Sequence, residues 1–330
     1  MSLIKSSKLL LAGVTAAGLA IAATNAEAKT YRLKMGSEVN AKHPVGESLT
    51  FFAKRVEELS KGEMKIATFP GSTIGKAREM VEMVQVGTLD IATIAAGVVS
   101  NFAPGLDFFS LPFIWQDVYH LQRAVDGPLG KLLDAEMDKA GFVSLGFTTS
   151  GSRQLYTNKV IKSVDDVKGM KVRTMKVPQI VETWKALGAI PVPVAFSETY
   201  QALQTGMVDG AESSFLSWIS MKHYEQAKFG YRINYIDSGR AYFLSKVTAA
   251  KIGPANVAIL KQAAHETITK KVLEEYNSRD KAAGQTAAKF GSKVVELDIA
   301  PFQAKVKPVL EKFKPTLGPV VFDHIAAARK

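Results

Sequence analysis

The 330-residue sequence contains no cysteine. Disulfides, thiol nucleophiles and thiolate metal sites are therefore excluded. It also lacks a GxxxxGK[ST] phosphate loop, a GxGxxG turn, a GxSxG elbow and an HExxH helix. The five histidines (His43, His120, His223, His265, His324) are far apart, with no ligand-like pair. Acidic pairs such as Glu57-Glu58 and Asp165-Asp166 sit in solvated-face or helix-start contexts rather than as catalytic dyads. No catalysis, cofactor or metal is expected from these residues.

Long hydrophobic runs are nearly absent too. The exception is Leu9 to Ala23, at roughly 15 residues short of the about 20 needed to span a bilayer. It follows Lys5 and Lys8 and precedes Ala26-Glu27-Ala28. This three-part pattern predicts a cleavable signal at residues 1–28 and export to the periplasm. The remaining 302 residues keep 40 basic against 30 acidic side chains, a balance of +10. That length suffices for two lobes with separate cores. Lys and Arg are mostly interleaved with acidic residues, as in Lys54-Arg55-Val56-Glu57-Glu58. No Arg-rich or aromatic-basic stripe suggests nucleic acid, although a modest positive field favours encounter with anions.

What is present is an alternation of short strands and helices. Tyr31 to Gly36 and Met64 to Phe69 read as strands, and Ser48 to Ser60 and Ala77 to Val86 as helices stopped by Gly62 and Gly87. The apolar run Leu89 to Ala96 suits a buried parallel strand. The grammar restarts near residue 141. Strands are expected at Phe142 to Phe147, Lys171 to Thr174 and Pro191 to Val194, with another entered at Val208 to Ala211. Helices are expected at Val164 to Val167, Pro178 to Leu187 and Tyr200 to Thr205. A long helical tract covers 254–290, and another follows from about Pro301. The pattern predicts an α/β chain of two lobes with a ligand cleft at the carboxyl ends of the strands.

Two arginines draw notice because a guanidinium fork matches a planar carboxylate. Arg173 ends a strand in Lys168-Gly169-Met170-Lys171-Val172-Arg173-Thr174, and Arg153 lies in Gly151-Ser152-Arg153-Gln154 after the strand at Phe147. On bare sequence, either could equally be a surface ion pair.

These segments carry a family resemblance. Asp165-Asp166-Val167-Lys168-Gly169-Met170-Lys171-Val172-Arg173 is similar to the DLKGLKIR segment of substrate-binding proteins of TRAP (tripartite ATP-independent periplasmic) transporters, the DctP-like family. The likeness continues through Val194 to Gly206 and Val208-Asp209-Gly210-Ala211-Glu212. Gly87-Thr88-Leu89-Asp90, Leu111-Pro112-Phe113 and Gly151-Ser152-Arg153 follow the family pattern in the same order. The resemblance implies a two-lobed periplasmic binding protein fold, with a long helix spanning both lobes and closure by hinge motion. Lobe one would comprise 29–150 with 239–278, and lobe two 151–238 with 279–330. It also implies an organic-acid ligand delivered to membrane permease subunits, with contact to the membrane only through them.

The resemblance further implies that Arg173 pairs with the ligand carboxylate and Arg153 assists. Phe196 would lie against the ligand, and Glu38 would face the cleft from the first-strand loop. Glu212, Ser213 and Trp218 complete the expected set. Phe215, Trp115 and Tyr242 could add apolar walls, although core packing is the better default for each. Where the family often has Asn, this chain has Ser213 and Ser214. Where sialic-acid binders carry carboxylates, it has Ala77 and Ala95, which disfavours a sialic acid. A hydroxylated monocarboxylate, such as a sugar acid or uronate, is the favoured ligand. An aromatic or short apolar monocarboxylate, or a C4-dicarboxylate with Arg78 or Arg240 as second cation, is the alternative. A secreted enzyme acting on an organic acid is the more distant reading.

Overall fold

The computed structural model describes residues 30–329; the expected signal segment lies outside the described residues. Strands β1 (Tyr31–Gly36), β2 (Met64–Phe69) and β3 (Ile91–Ala95) form one end of a single nine-stranded sheet. Strands β5 (Lys171–Thr174), β6 (Ile190–Pro193) and β7 (Gly210–Ser213) form the other. Two long strands, β4 (Phe142–Thr157) and β8 (Phe229–Ser245), run antiparallel between them. The order is β2-β1-β3-β8-β4-β7-β5-β6, with β9 (Lys293–Glu296) added beside β8. This is the expected α/β architecture of two lobes, each built on a parallel strand group and joined by crossing strands.

The long strands differ from the sequence expectation. The Phe142 strand does not end at Phe147 but runs ten residues further, through Gly151-Ser152-Arg153. Three register irregularities along its ladder with β8 bend it where it passes between lobes. Gly151, at φ +86°, allows one of them: a Cβ there would lie 2.0 Å from Cε1 of the buried Tyr276. β3 is parallel to β1 as expected, yet antiparallel to β8 on its other side.

Alternation along the strands divides the core between both faces of the sheet. On β8, Ala241 and Phe243 join one buried cluster while Tyr242 and Leu244 join another. At the far end Leu155 and Tyr156 separate in the same way. Helix Pro44–Leu59 begins four residues before the expected Ser48. His43, rather than a serine or aspartate, caps it through Nδ1, which accepts from Val45 N at 3.1 Å, and Pro44 follows at the first helical position.

The tract from Pro254 is helix Pro254–Thr267, a π turn at Ile268–Val272, then helices Leu273–Lys281 and Ala283–Ala288. Its first part packs on Pro44–Leu59 in lobe one, and its later parts reach Phe215–Ser220 in lobe two. The single long helix expected is therefore interrupted by a wider turn at the crossing between lobes. Helix Ala300–Leu317 packs on Pro178–Ala186 in lobe two. The last helix, Pro319–Ala327, departs from the expected grouping of 279–330. Ile325 enters the lobe-one core, and His120 Nε2 is 2.7 Å from its carbonyl oxygen. No helix among the described residues is long and apolar enough to cross a membrane.

Gly151→Ala would force a methyl group into the Tyr276 ring at a left-handed backbone position. We expect a loss of about 2–4 kcal/mol, read as a lower urea midpoint at unchanged slope.

Candidate functional site

A cavity of about 310 Å³ opens between the two lobes. Its walls come from the ends of strands and from the crossing strands, as the open α/β arrangement requires. Arg173 stands at the end of β5, flanked by β6 and β7, and is only 1% exposed. Its Nε and Nη2 donate to Val194 O at 3.0 and 2.7 Å, which fixes the plane of the guanidinium. Nη1 is buried and has no hydrogen-bond partner among the described residues. One edge of the fork is thus committed to the backbone, and the other lies 3.9 Å from Glu212 Oε1 with no hydrogen bond made. Burial pulls the Arg173 pKa below its ordinary value, while the nearby Glu212 carboxylate pulls the other way. Phe196 lies beside it, with the guanidinium carbon 5.7 Å from the ring centroid.

Arg153, on the irregular stretch of β4, is tied differently. Its Nε donates to Glu212 Oε2, and its Nη2 to the Glu212 carbonyl oxygen at 2.9 Å. Burial acts to lower its pKa, but the Glu212 carboxylate and Tyr235 outweigh that and hold it raised. Glu212 does not line the cavity: it is fully buried behind it, accepting also from Tyr235 Oη at 2.6 Å and Met175 N at 3.3 Å. Arg153 also lines the cavity, and Arg153 and Arg173 converge on one buried carboxylate.

The opposite wall belongs to lobe one. Glu38, in the loop after β1, receives Arg240 Nη2 at 2.6 Å and Nη1 at 3.2 Å, with Ala95 N and Ser37 Oγ at 3.3 and 3.4 Å. Arg240 is consumed in doing so: Nη1 also reaches Thr93 O at 2.8 Å, and Nε reaches Ser150 Oγ at 2.9 Å. Ala77, Ala95, Ser213, Ser217 and His43 fill out the walls. His43 and His223 are both held neutral, lowered to about 3, first by burial and then by neighbouring arginines. Because His43 Nδ1 accepts from Val45 N, its Nε2 carries the proton and points toward Ser217 Oγ at 3.4 Å.

The structure therefore brings Arg173, Arg153, Glu38, Phe196 and Ser213 around one cavity, with Glu212 as its rear support. Trp218, also expected at the ligand, is not there. Its ring is fully buried against Tyr156 and Phe215, and its Nε1 donates to Ala227 O at 2.8 Å. The apolar, single-donor indole is better satisfied in that core than at a polar wall. Phe215, Trp115 and Tyr242 are likewise core residues. Sequence reasoning passed over His43 and Ser217 and offered Arg240 only as a spare cation; no local motif marks any of them.

This geometry can be set beside known proteins. The signature of the bacterial extracellular solute-binding protein family 7 (DctP) matches residues 35–316. The chain belongs to this family. A solute-binding protein of Verminephrobacter eiseniae is 30% identical over 308 residues, covering 93% of this chain and 91% of that one. A TRAP periplasmic solute-binding protein from Roseobacter denitrificans, solved with bound β-D-glucuronate, is 31% identical at a TM-score of 0.85. That match covers 90% of this chain and 100% of the other. A third relative, from a Polaromonas species and bound to D-erythronate, is 30% identical at a TM-score of 0.86, covering 91% and 99%. The resemblance read from the sequence holds, and with it the two-lobed cleft fold of a solute receptor.

Within this receptor Glu212 is the support most sensitive to removal. Glu212→Gln would leave the Arg153 guanidinium buried without its counter-charge. The expected loss of stability is about 3–5 kcal/mol. Replacing both partners, as Glu212→Gln with Arg153→Met, should cost less than Glu212→Gln alone in a denaturant titration. Simple addition of the two single losses would contradict the pairing.

Proposed function

We propose that this protein is the extracytoplasmic receptor of a TRAP transporter. It captures a small hydroxylated monocarboxylate, a sugar acid or uronate, and delivers it to the membrane permease. The observation that carries this reading is the open end of Arg173. Arg173 lies on the cavity wall with its Nε edge committed to the backbone and no hydrogen bond at Nη1, so its guanidinium has donor capacity left for a planar anion. The bound β-D-glucuronate and D-erythronate of the two solved relatives are both acids of this kind.

The remaining wall chemistry favours hydroxyl groups over an apolar tail. Ser150, Ser213, Ser217 and Glu38 line the space, and Phe196 supplies the aromatic ring among its walls. Glu38, Ser150 and Ser217 already have partners in the wall, and a ligand hydroxyl can use their spare acceptor lone pairs where an aromatic or short apolar acid cannot. Ala77 and Ala95 both face the cavity, leaving short methyl walls where a sialic acid would require acceptors.

Capture works by closure. β4, β8 and the π turn at Ile268–Val272 are the segments that cross between lobes, and they supply the hinge. An acid held by Arg173 from lobe two and by the Glu38 wall of lobe one stabilises the closed form by its differential contacts. Expelling water lowers the screening around the Arg–carboxylate pair and strengthens it. The ligand leaves chemically unchanged.

Isothermal titration with D-glucuronate and D-erythronate tests the assignment. Arg173→Lys keeps the charge but loses the planar fork, and we expect affinity to fall about 10–100-fold. Unchanged affinity in that variant would remove Arg173 as the carboxylate anchor. A sugar acid recovered altered after incubation would instead favour a secreted enzyme.

A further inference from the structure

Among the described residues, four buried charged side chains line the cavity, Arg153, Arg173, Arg240 and Glu38, and a fifth, Glu212, lies behind them. Two of the guanidiniums are matched. Arg153 is bound through Nε and Nη2 to Glu212, and Arg240 through both terminal nitrogens to Glu38. The third, Arg173, has a carbonyl on one edge, an orphan Nη1 on the other, and Glu212 no closer than 3.9 Å. These five groups, three arginines against two glutamates, therefore carry a net charge of +1. Four further charges at the rim, Lys76, Arg78, Glu79 and Lys176, are exposed; Lys76 and Arg78 are paired with Glu198 and Glu82, and exposed charges are screened by solvent far more than the buried set.

We infer that Glu38 sets the charge specificity of the receptor: by occupying Arg240 it leaves room for one ligand carboxylate and excludes a diacid of the same skeleton. A monoanion on Arg173 brings the buried interior to neutrality. A second carboxylate would be desolvated facing Glu38, with four of the five N–H donors of Arg240 already engaged by Glu38, Thr93 O or Ser150 Oγ and its charge matched by Glu38. Buried charge without a counter-charge is among the most expensive arrangements in a protein. Arg240, available by sequence as a second cation for dicarboxylates, is thus cancelled by a residue 202 positions away. Removing the Glu38 charge while keeping its shape would release that cation and convert the preference.

This inference rests on the sugar-acid reading for its probes but not for its logic, so two matched pairs are used. D-gluconate and D-glucarate differ only in the oxidation of the terminal carbon. Butyrate and succinate provide the same contrast without hydroxyls. By isothermal titration the unaltered protein should bind gluconate about 100-fold or more tighter than glucarate. Glu38→Gln should narrow that ratio by about 100-fold or invert it, whereas Glu38→Asp, which keeps the charge, should retain the monoacid preference. Affinities for gluconate and glucarate within about threefold in the unaltered protein would overturn the inference, even if Glu38→Gln failed to fold. So would a folded Glu38→Gln variant with an unchanged ratio. A protein that ignored both sugar acids but held butyrate over succinate would retire the hydroxylated ligand and keep the charge rule. Preference for succinate, or binding of none of the four, would overturn it.

Discussion

Everything about this cavity follows from placing three guanidinium groups out of water around it. A single buried cation is tolerable only with a partner. The chain supplies two carboxylates of its own, Glu212 for Arg153 and Glu38 for Arg240. It leaves Arg173 with only part of its hydrogen-bonding capacity met. In the proposed function that unmet part serves the ligand. Stability and binding would then be drawn from one charge arrangement, with the deficit at the residue proposed to meet the ligand.

The crossing strands make that arrangement possible. β4 contributes Ser150 and Arg153, and β8 contributes Arg240 and Tyr235. Neither strand belongs to one lobe, so groups from both lobes are referred to a common frame. Arg240 joins Glu38 of the β1 loop to the β3 carbonyl of Thr93 and to Ser150 on β4. Tyr276, just past the π turn, lies against Gly151; its hydroxyl donates to the Ser150 carbonyl and lies 3.0 Å from Ser214 Oγ. The helical tract therefore touches the bend of β4 and the lobe-two wall at the same point. In the proposed closure, motion of the lobes would pass through these contacts.

Local elements were legible wherever a short-range rule sufficed. β1, β2 and β5 and helix Ala77–Val86 fall where period and glycine stops put them, because alternation and left-handed caps are properties of neighbouring residues. The start of helix Pro44–Leu59 was not, since a histidine cap is rare and its preference is weak. The continuation of β4 through Gly151-Ser152-Arg153 was also hidden. A glycine at positive φ reads as a turn in sequence, whereas here it is a strand irregularity held by a ladder with residues about 90 positions on.

The sequence by itself determined the family, the two-lobed α/β design and Arg173 as the candidate anchor. Each of those is written in contiguous segments whose spacing the backbone repeats. The tertiary structure decided which charges remain free. Arg153, Arg173 and Arg240 are indistinguishable as letters, and Glu38 and Glu212 equally so. Only the folded sheet brings Glu38 to Arg240 and Glu212 to Arg153, and moves Trp218 into a core. Pairing depends on distance and burial across strands far apart in the chain, and no local pattern encodes it.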